Sequence, residues 1–293
     1  MSADGITSVW LDGPAGKLDL RMAEPKTPGD RPDLLFVHGA WSSSWYWEPF
    51  FLPFFTAQGH RSAAINLRGH GASEGRLRWA SITDYVVDLR KAAEHLNDPV
   101  IIGHSMGGFV VQKYAQAYPL RAMGLLASVP PMGAWNGLCH VVAHHPGKFL
   151  KTWATLDLYP VVEDIDIARK FLFSRDVDQT DKDYLLGNLQ SESFRAFLEL
   201  LIRPILRPLK SRPPCLVIGG EDDLVISKSN LHATAQHYQT TPSIRPAMSH
   251  MLPIEDEWRE VASEVLEWLQ KEVMSAQAHA THHLPRKDRT YGT

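Results

Sequence analysis

Short apolar runs alternate with amphipathic segments between residue 34 and residue 128. The runs are continuous and rich in Val, Ile, Leu and Ala, which is typical of strands buried on both faces of a parallel sheet. They lie at residues 34–37, 63–66, 100–102 and 123–127. Between them, residues 82–96 carry apolar side chains at helical spacing. This alternation predicts βαβ units and a mostly parallel, doubly wound α/β sheet.

Two segments near the N-terminus add further elements to this pattern. Residues 18–22 alternate apolar and polar side chains, which predicts a half-exposed edge strand. Residues 44–57 are rich in aromatic side chains and predict a helix, with Pro49 and Pro53 as potential breaks inside it.

The pattern changes between residue 131 and residue 208. This stretch contains helical patterns, clearest at residues 165–172 and 193–201, and no convincing strand. A helical insertion between two strands suggests a cap, or lid, over the carboxyl edge of the sheet, where α/β folds place their ligands. The alternative is a set of ordinary helices packed on one face of the sheet.

After this insertion the strand and helix pattern resumes. Strands are predicted at residues 215–219 and 243–246, and helices at residues 227–238 and from residue 255 onward. The resulting domain prediction has an α/β core at residues 1–130 and 209–274, a helical cap at residues 131–208, and a disordered tail at residues 275–293. The tail is predicted from its polar, histidine-containing composition.

Composition narrows the class of protein. Of the 293 residues, 44% are hydrophobic and 22% are charged, as in soluble globular proteins, and the net charge is −3. This charge gives no electrostatic basis for binding nucleic acid, and no apolar run is long enough for stable membrane insertion. Cys139 and Cys215 lie far apart, so a disulfide framework is not indicated. Because the first residues lack a signal-peptide pattern, we expect a cytoplasmic protein.

The strongest chemical motif lies between residue 100 and residue 115. An apolar strand, the pattern Gly-x-Ser-x-Gly at residues 103–107 and an apolar helical segment follow one another. In this context the pattern predicts a nucleophile elbow, a sharp turn that presents the hydroxyl of Ser105 above the sheet. Gly103 and Gly107 let strand and helix pass without Cβ clashes. The alternative is a glycine-rich turn with an incidental serine.

A nucleophilic serine needs a base to accept its proton, and the base needs a carboxylate to orient it. His250 follows the last predicted strand, and three consecutive acids at residues 221–223 follow the preceding one. The chain order of serine, acid and histidine is that of acyl-transfer triads on α/β sheets. We predict Ser105 as nucleophile, His250 as general base and acid, and Asp223 as the orienting acid, with its two acidic neighbours left open. An acidic turn and an ordinary loop histidine are the alternatives.

The tetrahedral intermediate of acyl transfer also needs hydrogen-bond donors for its oxyanion. We predict the backbone N–H groups of Met106, directly after the nucleophile, and of Ala40, in the loop after the strand at residues 34–37. His38 is expected to brace this loop by hydrogen bonding. His104 is expected to point away from the reaction and to have a structural role.

Five short segments make the chain resemble a known family. They are residues 38–41, 66–73, 103–108, 220–223 and 249–250. On these segments the chain resembles the capped α/β-hydrolase superfamily, in its serine esterase and lysophospholipase-like branch, over about residues 18–272. The resemblance implies the α/β-hydrolase fold, a covalent acyl-enzyme, no metal and no organic cofactor. It implies Asp223 as the acid, with Asp222 as the alternative. Asn66 departs from the aspartate that many relatives carry.

The expected reaction is hydrolysis of a small to medium apolar ester, lactone or thioester, with an ester-like small molecule as the partner. Haloalkane dehalogenases and epoxide hydrolases of this fold need a carboxylate where this chain has Ser105. C–C bond hydrolysis, hydroxynitrile-lyase chemistry and a ligand receptor without catalysis remain alternatives. The side chains expected to contact substrate are Trp41, Trp45, Met132, Trp135 and Met251. Further candidates are Tyr46 and Trp47 near the loop of Ala40, and Trp153 and Phe171 in the cap. Packing in the core is the alternative for the aromatic ones.

Overall fold

Eight strands form the centre of the molecule. The computed structural model describes residues 5–27, 29–173, 187–202, 204–205, 209 and 212–274. Within them the strands are β1 (Ile6–Gly13), β2 (Gly16–Ala23), β3 (Leu34–Val37), β4 (Ser62–Ile65), β5 (Val100–His104), β6 (Met123–Leu126), β7 (Cys215–Gly220) and β8 (Pro242–Arg245). They form one sheet in the order β1-β2-β4-β3-β5-β6-β7-β8.

The sheet is mostly parallel. Strand β2 runs antiparallel to both β1 and β4, whereas every other neighbouring pair is parallel. Strands β3 and β5 are buried at every position because helices cover both faces of the sheet, and an apolar cluster lies on each face. The predicted doubly wound, mostly parallel α/β sheet is confirmed.

Nine helices are described around this sheet. They are α1 (Phe51–Ala57), α2 (Ile82–His95), α3 (Met106–Ala117), α4 (Trp135–His144), α5 (Pro146–Thr155), α6 (Ile165–Leu172), α7 (Phe194–Ile202), α8 (Lys228–Tyr238) and α9 (Trp258–Trp268). Within the described residues no helix is both long enough and apolar enough to cross a membrane.

Two local predictions are wrong. Strand β2 is not an edge strand, because β1 forms a hairpin with it and covers its outer side, which leaves Leu18 and Leu20 buried. The aromatic segment at residues 44–57 is not one helix. It forms a 3₁₀ turn at Ser44–Tyr46 and only then α1, with Pro49 between the two.

The stretch between β6 and β7 contains helices α4, α5, α6 and α7, and no strand among its described residues. This agrees with the helical pattern in the sequence. Residues 174–186 of the predicted cap, and the predicted tail at residues 275–293, lie outside the described residues. In the following, "the insertion" means the described residues between β6 and β7.

Candidate active site

The turn between β5 and α3 holds Ser105 in a strained conformation. Its φ of 51° lies in the left-handed region that residues with a side chain rarely adopt. The backbone fixes it there, since Ser105 N–H donates to the carbonyl of Leu126 at 3.1 Å. A Cβ on Gly107 would lie 2.3 Å from the carbonyl oxygen of His38, and one on Gly103 would lie 2.6 Å from the carbonyl oxygen of Gly107. The close approach of strand, helix and loop therefore requires both glycines.

Ser105, His250 and Asp223 come together at the carboxyl ends of β5, β7 and β8. The Nε2 atom of His250 lies 3.0 Å from Ser105 Oγ, and its Nδ1 atom lies 2.8 Å from Asp223 Oδ2. All three residues are buried, whereas Asp222 is exposed to solvent. Of the neighbouring acids that the sequence left open, it is thus Asp223 that contacts the histidine.

The hydrogen bonds around Asp223 define where the protons lie. Its Oδ1 atom accepts the backbone N–H groups of Val225 at 2.7 Å and Ile226 at 2.8 Å. With two donors on one oxygen, the group is suited to the ionised form, so Nδ1–H of His250 donates to the other oxygen. The Nε2 atom of His250 then has a lone pair that accepts the hydroxyl proton of Ser105.

The loop that carries His250 is held from two sides. His104, for which the sequence predicts a structural role, uses Nε2–H to donate to the carbonyl of His250 at 2.9 Å. Burial keeps the pKa of His104 well below its usual range, so its ring is neutral. On the other side, the N–H groups of His250 and Met251 both donate to the carbonyl of Leu172, at 3.1 and 3.2 Å. Leu172 belongs to the insertion.

His38 orients the peptide unit that contains the N–H of Ala40. The backbone N–H of Leu67 donates to His38 Nε2 at 3.2 Å, so the ring proton lies on Nδ1, which donates to the carbonyl of Gly39 at 2.9 Å. That carbonyl and the N–H of Ala40 belong to one planar peptide and point in opposite directions. Burial lowers the pKa of His38 well below its usual range, which keeps this neutral form.

The next residue in this loop, Trp41, also has a strained backbone, with a φ of 60°. The insertion holds it at two points. The N–H of Gln190 donates to the carbonyl of Trp41 at 2.9 Å, and the indole Nε1–H of Trp41 donates to the carbonyl of Leu158 at 3.1 Å. The side chain of Gln190 also bonds Gly69 and Gly71. The insertion is thus joined to the loop that carries Ala40.

A second buried cluster packs against His38 of the same loop. His70 Nε2 lies 3.0 Å from Glu192 Oε2, and the hydroxyl of Tyr85 donates to Glu192 Oε1 at 2.8 Å. The other ring nitrogen of His70 faces the carbonyl of Arg68 at 3.2 Å. The His70 ring packs 4.7 Å from that of His38, centre to centre. This cluster joins the insertion, which contributes Glu192, to the core.

Ser105 lines two cavities. The larger, with about 770 Å³ of space including its opening to solvent, lies under the helices of the insertion and is almost entirely apolar. The smaller, with about 280 Å³ of space including its opening to solvent, is lined by His250, Met251, Leu172 and also His104. Ala40, Trp41 and Ser105 line both of them, and Met106 lines the larger one. Ala40 and Met106, the two residues predicted to supply oxyanion donors, therefore both line the larger cavity together with Ser105.

Only part of the predicted substrate-contacting set lies along these cavities. Trp41 lines both, Phe171 lines the larger and Met251 lines the smaller. The described residues that line either cavity do not include Trp45, Tyr46, Trp47, Met132, Trp135 or Trp153. The ring of Trp45 packs against Tyr46, and Met132 and Trp135 are 59% and 50% exposed.

Sequence reasoning missed several residues that line the larger cavity. They are Leu138, Phe149, Thr152, Leu158, Glu192 and Phe197. The spacing of Phe149 and Thr152 places both on one face of α5, which a search for inward-facing positions of the insertion could have found. Glu192 gives no such signal, because its partners lie more than 100 residues away in the chain.

A model of the alpha/beta hydrolase family matches residues 34–264. The chain belongs to the alpha/beta hydrolase family. Among characterised proteins, this family member is similar to a monoacylglycerol lipase of Mycolicibacterium smegmatis, with 26% identity over 230 residues, 73% of this chain and 80% of that protein. It is also similar to a bifunctional esterase/perhydrolase of Acinetobacter calcoaceticus, with 34% identity over 110 residues, 36% of this chain and 40% of that protein.

Solved structures show the same hydrolase fold. An esterase from Exiguobacterium antarcticum matches with a TM-score of 0.71 at 13% identity, over 90% of this chain and 100% of the esterase. A thermophilic esterase from Thermogutta terrifontis matches with a TM-score of 0.68 at 21% identity, over 91% of this chain and 99% of the esterase. At these identities the likeness concerns the fold of the alpha/beta hydrolase.

Proposed function

We propose that this chain is a serine hydrolase that cleaves carboxylic esters through an acyl-enzyme intermediate. The observation that carries the proposal is the hydrogen-bonded series from Ser105 Oγ through His250 to Asp223, which lies at the junction of two cavities. The names of the similar proteins, a lipase and an esterase/perhydrolase, also support ester hydrolysis. Lactones and thioesters undergo the same chemistry and belong to the same proposal.

In the first half of the reaction, Ser105 Oγ forms a bond to the ester carbonyl carbon while its proton moves to His250 Nε2. Asp223 remains ionised and stabilises the imidazolium through Nδ1–H. The N–H groups of Ala40 and Met106 stabilise the oxyanion. When the intermediate collapses, the carbon–oxygen bond to the alcohol breaks, and His250 returns its proton to the departing oxygen.

In the second half, water repeats these steps on the acyl-enzyme. His250 takes a proton from the water molecule while the water oxygen forms a bond to the acyl carbon. His250 then gives that proton to Ser105 Oγ as the bond between Ser105 and the acyl carbon breaks and the acid leaves. The products are one alcohol and one carboxylic acid, and the triad returns to its starting protonation state.

The two cavities have different roles in this mechanism. Because His250 protonates the departing alcohol, the alcohol must lie on the side of the histidine. His250 lines the smaller cavity, and it is not among the residues that line the larger one. We therefore propose that the alcohol occupies the smaller cavity and that the acyl group occupies the larger, apolar cavity under the insertion. The best substrates are then esters of small alcohols with medium-length acyl chains.

Steady-state hydrolysis of two ester series tests this proposal. In one series the acyl chain grows on a constant methanol ester, and in the other the alcohol grows on a constant octanoyl group. We expect kcat/KM to tolerate longer acyl chains better than longer alcohols. Ser105→Ala should lower kcat by about 10⁵-fold or more, and Ser229→Ala, a serine on α8, is the matched control.

A fluorophosphonate probe provides an independent readout, because it labels an activated serine without requiring the correct substrate. We expect a single adduct on the peptide that contains Ser105, absent from Ser105→Ala. Labelling of Ser105 without hydrolysis of any ester would reject the ester proposal and favour another reaction of the same serine, such as C–C bond hydrolysis. Neither labelling nor hydrolysis would reject the serine mechanism as well and favour a receptor role.

A further inference from the structure

The large cavity contains one hydroxyl group that the mechanism does not use. Among the described residues that line it, Ser105, Thr152 and Glu192 carry a hydroxyl or a carboxyl group. Ser105 is bonded to His250, and both oxygens of Glu192 have partners. Thr152, in α5, is only 3% exposed, and its Oγ1 has no hydrogen-bond partner among the described residues. A buried hydroxyl without a partner has lost its hydrogen bonds to water and has gained none from the protein, which costs free energy.

Other helical threonines in the same chain avoid this situation. Thr155, one turn further along α5, donates from Oγ1 to the carbonyl of Lys151 at 2.8 Å. Thr234, which is just as buried as Thr152, donates to the carbonyl of Asn230 at 2.8 Å. Both use the carbonyl four residues earlier, which is the usual local partner of a helical threonine. Burial and helical position therefore do not explain why Thr152 lacks such a bond.

We infer that Thr152 determines specificity by binding an oxygen substituent on the acyl chain of the substrate. The inference rests on the proposed function and adds a substrate class to it, namely esters of hydroxy- or oxo-acids. Such an acyl chain fills the apolar cavity with its carbon atoms and supplies the missing partner of Thr152 with its oxygen. A threonine in a helix has two accessible χ1 rotamers, so the hydroxyl can turn toward a ligand without a change in the backbone.

A hydroxyl can both donate and accept, so Thr152 can bind either form of the substituent. A keto oxygen on the acyl chain accepts a hydrogen bond from the hydroxyl of Thr152, whereas a hydroxyl on the acyl chain can donate one to Thr152 Oγ1. An unsubstituted chain leaves Thr152 unpaired in a cavity from which the chain excludes water. A site of this kind discriminates against analogues that lack the polar group.

The test compares methyl octanoate with methyl hydroxyoctanoates and oxooctanoates in which the oxygen moves along the chain one carbon at a time. For the wild-type protein we expect kcat/KM to be about tenfold higher at the best oxygen position than for methyl octanoate. Thr152→Val, which keeps the shape and removes the hydroxyl, should reduce this preference to about twofold or less. Thr155→Val, the matched control in the same helix, should keep it.

Thermal unfolding separates a binding role from a structural one. Since Thr152→Val removes an unpaired buried hydroxyl, we expect its Tm to equal or exceed that of the wild type, even as the preference disappears. Thr152→Ser keeps the hydroxyl and should keep the preference, which provides a second variant if the valine variant folds poorly.

Two results would overturn the inference: equal kcat/KM for methyl octanoate and every oxygenated ester, or a preference that survives Thr152→Val. If the wild type hydrolyses none of these esters, the proposed function fails, and the inference is then tested by binding. Calorimetric titration of Ser105→Ala, with and without Thr152→Val, compares the Kd of methyl octanoate with those of the oxygenated esters. Equal affinities in that experiment would reject the role of Thr152.

Discussion

Two buried histidines in this molecule are each bonded to a carboxylate. His250 lies 2.8 Å from Asp223, and His70 lies 3.0 Å from Glu192. By residue type, burial and distance the two pairs are closely similar. They differ in what the second ring nitrogen faces. For His250 it is the hydroxyl of Ser105 at 3.0 Å, and for His70 it is the carbonyl of Arg68 at 3.2 Å.

This difference determines which pair can do acid–base work. A hydroxyl has a proton to give, so the second nitrogen of His250 can be an acceptor. A carbonyl can only accept, so the nitrogen of His70 that faces it must carry a proton. Both nitrogens of His70 face acceptors, and its pair with Glu192 has no lone pair directed at a nucleophile. The chemical capacity of a histidine thus depends on both of its neighbours, and a carboxylate partner alone does not make it a base.

Of the two carboxylates, the acid of the first pair should have the larger effect on kcat. Asp223→Asn replaces the acceptor of His250 Nδ1–H with an amide, which favours the wrong tautomer, so kcat should fall by about 10⁴-fold. Circular dichroism should show an unchanged fold. Asp222→Asn is the matched control and should stay within about twofold of the wild type, because a solvent-exposed change has little effect. The reverse outcome would identify Asp222 as the acid and contradict our assignment.

A smaller loss of kcat is expected when the loop that carries Ala40 loses its hydrogen bond from His38. His38→Leu removes the hydrogen bond to the Gly39 carbonyl, so the N–H of Ala40 is held less firmly. We expect kcat to fall by about ten- to hundredfold, with KM little changed, because oxyanion stabilisation acts in the transition state. His60→Leu also removes a buried histidine that bonds a carbonyl, that of Pro32, but away from the site. It should leave kcat unchanged, and a rise in KM alone for His38→Leu would contradict the positioning role.

Substitution of Glu192, the acid of the second pair, should change kcat much less. Glu192→Gln keeps an acceptor for Tyr85 and offers an N–H to a neutral His70, so kcat should stay within about threefold of the wild type. Glu192→Ala leaves His70 and Tyr85 without their partner and should lower the free energy of unfolding by about 3 kcal/mol. Urea unfolding measures this change. A loss of activity in Glu192→Gln as large as that in Asp223→Asn would remove the distinction between the two pairs.

The last effect concerns stability as a function of pH, and both histidine pairs have a neighbour that contributes to it. His104 packs beside His250, and His38 packs beside His70; burial lowers the pKa of both His104 and His38 well below 6.5. The unfolded chain therefore takes up protons on these histidines as the pH falls below 6.5, and the folded protein does not. The free energy of unfolding should decrease with falling pH, by up to about 1.4 kcal/mol per pH unit for each histidine.

Urea unfolding at about pH 8 and about pH 5 measures this dependence. His104→Gln keeps a donor for the carbonyl of His250 and removes one titrating group, so its stability should depend less steeply on pH. An unchanged slope in this variant would show that His104 does not contribute.

The sequence predicts the sheet well because each buried strand can be recognised from a short run of neighbouring residues. A buried parallel strand such as β3 needs only a short apolar run, and Gly103 and Gly107 are needed for steric reasons that any chain with this elbow shares. The sequence pattern does not predict β1, so it places β2 at the edge of the sheet. No residue of β1 is fully buried and its Trp10 is exposed, so this strand lacks the buried apolar positions that would distinguish it from a loop.

The cavities were much harder to predict. Trp135 and Phe171 both look like pocket residues in the sequence, but which one faces inward depends on how the helices of the insertion pack on one another. Phe171 lines the larger cavity, while Trp135 is half exposed. Thr152 carries no motif at all. Its distinctive property is a missing partner, and only the three-dimensional arrangement reveals that absence.

The carbonyl of Leu172 limits how the insertion can be deleted or exchanged. It accepts the N–H groups of both His250 and Met251. A shortened chain that joined β6 directly to β7 would leave these two donors, next to the proposed general base, without their acceptor. The insertion is therefore not an interchangeable module on a self-sufficient core. Chimeras that exchange it between relatives should retain activity only where the donated segment restores a carbonyl at this point.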